Sequence, residues 1–453
     1  MRVKIFIFST ALFVFLGFVG NLSILENLAV TLFIYFLLDF LENLGKRIVI
    51  MDLTIIMASL TCLLMPVVFY HQYTKEFYLA RLWVKYMPIP SDTYFSFMIP
   101  AVLAMVLGFR IPLRKSKVNK DPKIYMDNMR AILETKPTLG LILIAIGVIS
   151  GLLDFLSPTS LNQFFYFVNH LTFVGVFYVI YSPGKYKKYI VPGVIVLMIG
   201  QSLITGMFGD MIFISACALV LILLGKRIHF KYKVFVAIVG IFLIIIIQSV
   251  KTDYRQRAWM EIGGADPAYY VQLVSERLLD PSTLLEPNRL FLGAVRMNQG
   301  WLVAQTMYKV PAKFDFAYGE TIWQSIAAAI VPRFLWPDKP ESGGKANLKR
   351  FWGFDLVGFS MNIGPFGEAY ANFKVFGGII YMFFYGLFFN YILTSLLKYA
   401  EKSPTIILWL PFLFFYAISV ETDLLTTLGS LLKGLIFIWL MFKFFRTAFR
   451  IDL

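Results

Sequence analysis

Apolar runs recur along the whole chain, and they constrain its fold more than any other feature. Each is about 18 to 22 residues long, the length at which a helix spans the hydrocarbon core of a bilayer. Only 15% of the 453 residues are charged and 58% are hydrophobic, whereas about a quarter of a soluble domain is charged. We therefore predict an all-α polytopic membrane protein and exclude a soluble enzyme. The runs predict twelve spans, at residues 5–21, 24–41, 52–70, 94–110, 138–156, 162–181, 189–206, 208–225, 232–250, 375–397, 404–420 and 424–443.

Lys and Arg are distributed unequally between the short loops that connect these runs. Basic residues are costly to move across a membrane during insertion, so they accumulate on the cytoplasmic side. One set of loops, with the two termini, contains 24 of them, and the alternate set contains only Lys75, Arg81 and Lys85. This asymmetry predicts cytoplasmic termini. It also accounts for much of the net charge of +15, so we expect no nucleic-acid binding.

The predicted spans divide the chain into three regions. Residues 1–250 contain nine spans, residues 251–371 form one large extracytoplasmic loop before the tenth helix, and residues 372–453 contain three spans and a short cytoplasmic tail. Amphipathic stretches and tryptophans such as Trp301 and Trp323 predict that the loop is partly helical and lies at the membrane surface. The polar chemistry of the chain is concentrated there, so we expect the active site in this loop.

The run Pro332–Pro340 contains three prolines together with Arg333 and Lys339. Proline fixes φ and removes an amide donor, so we predict a non-helical segment that holds both cations in a defined geometry. Guanidinium and ammonium groups beside a membrane suit a phosphate or diphosphate. The alternative is an interfacial turn whose cations contact lipid head groups.

Four further arginines suggest a basic wall. Arg289 and Arg296 are seven residues apart on a predicted helix, hence on one face, and Arg255 and Arg257 follow the ninth span. For any one of them the alternative is a side chain that extends along the bilayer surface to keep its charge in water. The hypothesis of a diphosphate site therefore depends on the cluster as a whole.

Glu368 lies in a glycine-containing stretch that leads into the tenth span, followed by Tyr370 and Asn372 as hydrogen-bonding neighbours. One interpretation is a helix cap, because a helix N-terminus stabilises a carboxylate by about 0.3 to 1 kcal/mol. The other is a base that accepts a proton from a hydroxyl group or orients it. Glu421 and Asp423 in the last outer turn are the nearest approach to a metal-spaced acidic pair, and we interpret them as a solvated turn.

The order of these parts resembles the Wzy-type oligosaccharide repeat-unit polymerases, also called O-antigen polymerases. The resemblance rests on about a dozen spans, a large late loop and a set of short motifs. These motifs are Pro332-Arg333, Trp336-Pro-x-Lys339-Pro340, a glycine-containing stretch with Lys345, and Gly367-Glu368-x-Tyr370-x-Asn372-Phe373. The chain departs from the pattern at Lys374, where many relatives continue with glycine.

This resemblance implies a fold similar to GT-C-type lipid-sugar transferases and a glycosyl transfer on the outer face of a bacterial inner membrane. Two undecaprenyl-diphosphate-linked oligosaccharides would react, in O-antigen, capsule or exopolysaccharide synthesis, with membrane lipids, a chain-length regulator and a flippase as partners. It implies catalytic roles for Glu368, Arg333 and Arg289. It implies substrate binding by Arg255, Arg257, Arg296, Lys339, Lys345, Tyr370 and Asn372. Fixed arginines can stabilise a leaving diphosphate, so we expect no metal or other cofactor.

Two alternatives remain open. An O-antigen ligase or another lipid-phosphate-sugar transferase would share the leaving group and differ in its acceptor. A lipid-glycan flippase or transporter would show related halves and a polar pathway near the membrane midplane.

Overall fold

The computed structural model describes residues 2–113, 117–153, 162–260, 266–280, 282, 284, 286–333, 335–355 and 361–449, and its regular elements are helices. The first fourteen α-helices are α1 (Arg2–Val19), α2 (Ile24–Asn43), α3 (Ile50–Ser59), α4 (Met65–His71), α5 (Tyr78–Leu82), α6 (Ser91–Arg110), α7 (Lys117–Lys120), α8 (Pro122–Glu134), α9 (Leu139–Leu152), α10 (Asn162–Asn169), α11 (Leu171–Tyr181), α12 (Lys187–Thr205), α13 (Gly209–Leu223) and α14 (Phe230–Met260). The remaining eight are α15 (Pro267–Leu279), α16 (Pro287–Met297), α17 (Gly300–Lys309), α18 (Glu320–Ile330), α19 (Lys345–Trp352), α20 (Gly364–Tyr399), α21 (Leu410–Ser419) and α22 (Leu424–Phe449). A π-helical turn, Leu60–Leu64, joins α3 to α4, and a 3₁₀ turn, Pro404–Trp409, precedes α21.

In its described residues, each of the twelve predicted apolar runs lies mainly on one or two of these helices, as expected of an all-helical polytopic membrane protein. Within the described residues, eight helices are long and apolar enough to span a membrane, or nine if the bent pair α8–α9 is one span. Three other runs form helices of only 10–17 residues, namely Val3–Phe18, Met211–Leu223 and Pro404–Ser419. The count by length and composition is therefore lower than the predicted twelve.

Helices α6 and α20 form the most extensive helix pair in the bundle. Their close approach requires glycine at two positions, because any larger residue would clash with the facing backbone. A Cβ atom at Gly108 would lie 2.3 Å from the carbonyl oxygen of Phe383, and one at Gly386 would lie 2.3 Å from that of Met105. The Asn390 side chain on α20 donates hydrogen bonds to the carbonyl oxygens of Gly108 (3.0 Å) and Ile111 (2.8 Å). The pair gives α20 a fixed position in the bundle.

The predicted loop 251–371 includes the end of α14, which continues to Met260, and the start of α20, which begins at Gly364. Five helices, α15 to α19, lie between them, and α17 packs against both α4 and α20. Trp301 on α17 and Trp352 on α19 are 8% and 3% exposed and contact each other edge to face at 5.7 Å. The interfacial role predicted for Trp301 is therefore wrong, whereas Trp323 is 71% exposed as that role requires.

Candidate active site

Helix α20 changes direction at Lys374, whose φ is 61° and ψ is −163°. The piece before this break, Gly364–Phe373, contains the Gly-Glu-x-Tyr-x-Asn motif and is buried over most of its length. A non-glycine residue rarely adopts such a conformation, because its Cβ atom clashes with the backbone. Glycine adopts it without this clash, and Lys374 stands where the polymerases that the sequence resembles continue with glycine.

Replacing Lys374 with glycine should therefore stabilise the protein. The strain that is removed is worth about 1 to 3 kcal/mol, and the conformational entropy that glycine adds to the unfolded chain offsets part of it. Lys374→Ala is the matched control, because it keeps the Cβ atom and, like glycine, lacks the rest of the side chain with its ammonium group, which lies 5.3 Å from the Phe316 ring. Thermal unfolding of the purified proteins measures the effect. A midpoint for Lys374→Gly no higher than that for Lys374→Ala would contradict the strain.

Glu368 is completely buried, and both of its carboxylate oxygens accept hydrogen bonds. Asn347 Nδ2 on α19 donates to Oε1 at 2.5 Å, and the backbone N–H of Leu424 donates to Oε2 at 2.8 Å. Leu424 is the first residue of α22, so Glu368 caps that helix instead of the N-terminus of its own. Glu368 thereby joins α19, α20 and α22.

The turn Val420–Asp423 before α22 is not the solvated turn that its sequence predicts. Asp423 is 3% exposed and accepts hydrogen bonds from the N–H groups of Gly344 (2.9 Å) and Thr426 (2.8 Å). Burial raises the pKa of Asp423, and the donors from Thr426 and Gly344 oppose that change. Val420 has a φ of 56°, which is strained for a β-branched residue. No group of three His, Cys, Asp or Glu side chains that could hold a metal ion occurs in the described part of the chain.

Glu421 lies in the same turn and interacts with the cations Arg296 and Lys251. Burial raises the pKa of Glu421, whereas Arg296, Lys251 and a hydrogen bond from Gln299 lower it. Sequence reasoning interpreted this residue as part of a solvated turn, because its neighbours come from α14 and from the α16–α17 region, which lie far away in the sequence. The available signal was a pair of acidic residues flanked on both sides by apolar runs.

Arg333 and Lys339 line a cavity of about 630 Å³, which we call the Arg333 cavity. A third cation, Lys433 of α22, also lines it. Along α22 the lining runs from Leu425 to Leu440, a length of about 22 Å at 1.5 Å per residue. The α22 residues beyond Lys433 that line it, Ile436, Phe437 and Leu440, are apolar, and α10 adds Phe164 and Phe167 together with the polar Gln163. The cavity thus combines a cationic end with a long apolar slot.

The two predicted cations are held by main-chain carbonyl groups. Arg333 donates to the carbonyl oxygens of Pro337 (3.1 Å) and Lys339 (3.5 Å). Lys339 Nζ donates to those of Ala328 and Val331, each at 2.9 Å, at the end of α18. Burial and the nearby Arg333 lower the pKa of Lys339. Apart from Phe334, which lies outside the described residues, residues 332–340 form no regular helix, which confirms the predicted effect of the prolines.

The other arginines do not line this cavity, so the predicted wall is divided. Arg289 binds the carboxylates of Asp253 (2.7 Å) and Glu286 (2.6 Å), and Arg257 is paired with Asp266 at 3.3 Å. Arg289 and Arg296 both lie on α16, as predicted, but they have different neighbours.

Arg296 belongs to a second group of cations, which we call the Arg296 cluster. It consists of Lys85, Lys251, Arg255, Arg296 and the carboxylate of Glu421. Lys85 Nζ lies 3.5 Å from the centroid of the Trp301 ring, and burial, with Arg296, lowers the pKa of Lys85 to about 8. No ion pair within 4.0 Å joins Arg296 to another described residue. Four cations beside one carboxylate produce a positive potential that favours an anion.

Three predicted substrate-binding residues make contacts within the protein. Tyr370 donates to the carbonyl oxygen of Val310 at 3.3 Å, and Asn372 binds the hydroxyl of Thr321 and the backbone of Glu368. Lys345 is paired with Glu341 at 3.2 Å. Tyr370 and Asn372 are 8% and 0% exposed, so in this structure they hold α20 against its neighbours.

Comparison with known proteins gives one family match and a partial match to curated proteins. Residues 101–403 match the model of a family described as a domain of unknown function, DUF8712. The O-antigen polymerases of Salmonella typhimurium (strain LT2) and Salmonella typhi are each 30% identical to the chain over 113 residues, which is 24% of this chain and 27% of theirs. The match thus spans about a quarter of the length of these curated relatives. No solved structure matches the chain.

Proposed function

The chain belongs to the DUF8712 family, whose description assigns no activity, and we propose that it is a polymerase of lipid-linked oligosaccharide repeat units. The reaction would take place on the extracytoplasmic side of a bacterial inner membrane, with residues 251–371 on that side and both termini in the cytoplasm. Its substrates would be undecaprenyl-diphosphate-linked glycans, and a flippase and a chain-length regulator would act beside it. The partial identity to the two Salmonella O-antigen polymerases supports this proposal.

The Arg333 cavity is the observation on which the proposal depends. A polyprenyl diphosphate has an anionic head and a long apolar chain, and the cavity offers three cations next to an apolar slot. Arg333 can bind phosphate oxygens through its planar guanidinium group, while Lys339 and Lys433 add compact charges. We assign the donor glycan, whose diphosphate leaves, to this cavity.

In the transfer, the bond between the anomeric carbon of the donor and its diphosphate oxygen breaks, and the diphosphate keeps the electron pair. A hydroxyl oxygen of the acceptor glycan forms the new bond to that carbon and loses its proton. Cations fixed beside the leaving group stabilise the charge that develops on it. The Arg333 cavity supplies three of them without a change in the fold.

The Arg296 cluster suits the diphosphate of the second lipid, which bears the acceptor. Its excess of positive charge lies on the Glu421 side of the turn Val420–Asp423, and the first turn of α22 lines the Arg333 cavity. Two lipid head groups could thus occupy opposite sides of one turn. This arrangement would bring a terminal sugar of one glycan to the anomeric carbon of the other.

Two carboxylates are candidates for the base, and we propose Glu421. It is partly exposed, it faces the Arg296 cluster, and burial raises its pKa, which favours proton transfer near neutral pH. Both oxygens of Glu368 are engaged by Asn347 and Leu424, so a base role for Glu368 would require α19 to move away. We therefore propose that Glu368 acts by positioning α22.

Reconstitution with defined substrates tests the proposed function. Proteoliposomes that contain the full-length protein should convert undecaprenyl-diphosphate-linked single repeat units into lipid-linked chains of two or more units and release undecaprenyl diphosphate. A ligase would leave the repeat units unextended, because it transfers the glycan to a different acceptor. A flippase would move the lipid across the membrane without lengthening its glycan. Single repeat units that remain unchanged beside correctly folded protein would refute the polymerase.

A further inference from the structure

An aromatic cleft of about 430 Å³ lies between the end of α4, residues 84–88 and α17. We define the cleft by the side chains of Phe69, Tyr70, Thr74, Tyr86, Gln305 and Tyr308. The rings of Tyr86 and Tyr308 contact no other aromatic ring within the described residues, and Tyr308 is 51% exposed. Both rings are therefore available to a ligand.

Gln305 gives the cleft a buried polar group. Its side chain is 7% exposed, and its amide has no hydrogen-bond partner among the residues that the structure describes. Its amide oxygen and nitrogen are not among the fully buried polar atoms that lack a partner, so a molecule in the cleft can reach them. A ligand that both donates and accepts hydrogen bonds would supply the missing partners.

One strained turn connects this cleft to the Arg296 cluster. Val84 has a φ of 53°, although it is β-branched, and Lys85 N–H closes the turn on the carbonyl oxygen of Ala80 at 2.8 Å. The next two side chains diverge, so that Lys85 lies over Trp301 beside Arg296 and Tyr86 lines the cleft. A ligand that has an anionic group next to a ring could therefore place the anion at Lys85 and the ring in the aromatic cleft.

We propose that the aromatic cleft binds the sugar ring that is attached directly to the diphosphate of the glycan on the Arg296 cluster. A pyranose ring has an apolar C–H face that packs on aromatic side chains and hydroxyl groups that bond to an amide. This inference rests on the proposed function and adds a site of sugar selection. A site that hydrogen-bonds a hydroxyl group discriminates strongly against a sugar that lacks it.

Binding measurements with two lipids test the proposal. The full-length protein in nanodiscs is titrated with undecaprenyl diphosphate and with the undecaprenyl-diphosphate-linked repeat unit extracted from its own host. The wild type should bind the sugar-bearing lipid more tightly. Tyr308→Ala and Gln305→Leu should each weaken binding of that lipid by about 5- to 10-fold and leave the Kd of undecaprenyl diphosphate unchanged.

Two further variants make the result specific to the cleft. Tyr308→Phe keeps the ring and should retain most of the affinity. Tyr78→Ala removes a tyrosine that is 64% exposed on α5 and does not line the cleft, so both Kd values should stay at the wild-type level. A wild type with equal Kd values for the two lipids would overturn the proposal. A loss of equal size for both lipids in Tyr308→Ala would also overturn it.

The two proposals fail in different ways. A wild-type protein that prefers the sugar-bearing lipid, loses that preference in Tyr308→Ala and makes no polymer would support the cleft and reject the polymerase. A Tyr308→Ala protein with unchanged Kd values and normal polymer would reject the cleft and leave the polymerase intact.

Discussion

Glu421→Gln should nearly stop chain elongation, whereas Glu368→Gln should keep most of it. A positioned carboxylate that accepts the proton of a hydroxyl group contributes about 10²- to 10⁴-fold to the rate, and glutamine cannot accept that proton. Glu421 lies beside Arg296 and Lys251, where the acceptor lipid is proposed to bind. The rate of polymer formation by proteoliposomes, at equal protein level, measures the loss.

The Glu368→Gln protein is the matched control, because its hydrogen bonds can be kept. The glutamine oxygen can accept from the N–H of Leu424, and its amide can donate to Asn347 once the Asn347 amide has turned over. Its thermal midpoint should therefore stay near that of the wild type. An active Glu421→Gln protein together with an inactive, folded Glu368→Gln protein would return the base role to Glu368, as the sequence predicted.

The same assignment has a consequence for the pH dependence of the rate. A base works only when it is deprotonated, and burial raises the pKa of Glu421 above the ordinary 4.5 of glutamate. The wild-type rate should therefore fall on acidification while the pH is still above 4.5. The residual rate of the Glu421→Gln protein should lack that step.

Removal of either Arg333 or Lys433 should lower polymer formation by about 10- to 100-fold, since hydrogen bonds to a charged group are worth about 1.5 to 3 kcal/mol each. Arg333→Ala and Lys433→Met delete the cation, and methionine keeps an apolar stem against the slot. Arg333→Lys keeps the charge and loses the planar fork, so its rate should fall between those of Arg333→Ala and the wild type.

Lys349→Ala is the control for charge in the same region. Lys349 is 70% exposed and paired only with Asp355 among the described residues, so its loss should change the rate little. Arg289→Ala tests whether Arg289 is separate from the diphosphate site. Because Arg289 is paired with Asp253 and Glu286, its loss should change the rate less than the loss of Arg333. A loss as large as that of Arg333→Ala, at normal protein level, would connect Arg289 to the diphosphate after all.

The parts of the fold that the sequence predicts well are those that depend on local length and composition. The apolar runs predicted helices because the bilayer sets the length of a span, and the prolines of residues 332–340 predicted a non-helical segment. The number of spans stays a prediction, since run length cannot show where a helix breaks and eight or nine described helices meet the length of a span. The break at Lys374 lies nine residues after Pro365, and its only signal in the sequence was the departure from the glycine that the resemblance implied.

The site was less predictable, because its contacts join residues far apart in the chain. The hydrogen bond between Glu368 and Leu424 spans 56 residues, and Arg333 shares its cavity with Lys433, which is 100 positions away. Arg289 and Arg296 share a helix face by spacing, yet Arg289 pairs with Asp253, whereas the carboxylate near Arg296 is that of Glu421. Spacing along one helix shows which residues point together and does not show which carboxylates they meet.

The four-residue turn Val420–Asp423 also has a consequence for the size of the glycan. If the two lipid head groups bind on opposite sides of this turn, their separation is fixed by a strained segment that Gly344 and Thr426 hold in place. Both glycans would then start beside this turn, and the end of the acceptor would have to curve back to reach the donor's anomeric carbon. A repeat unit with too few sugars cannot make that return, so the turn sets a minimum length for the unit that the protein can join.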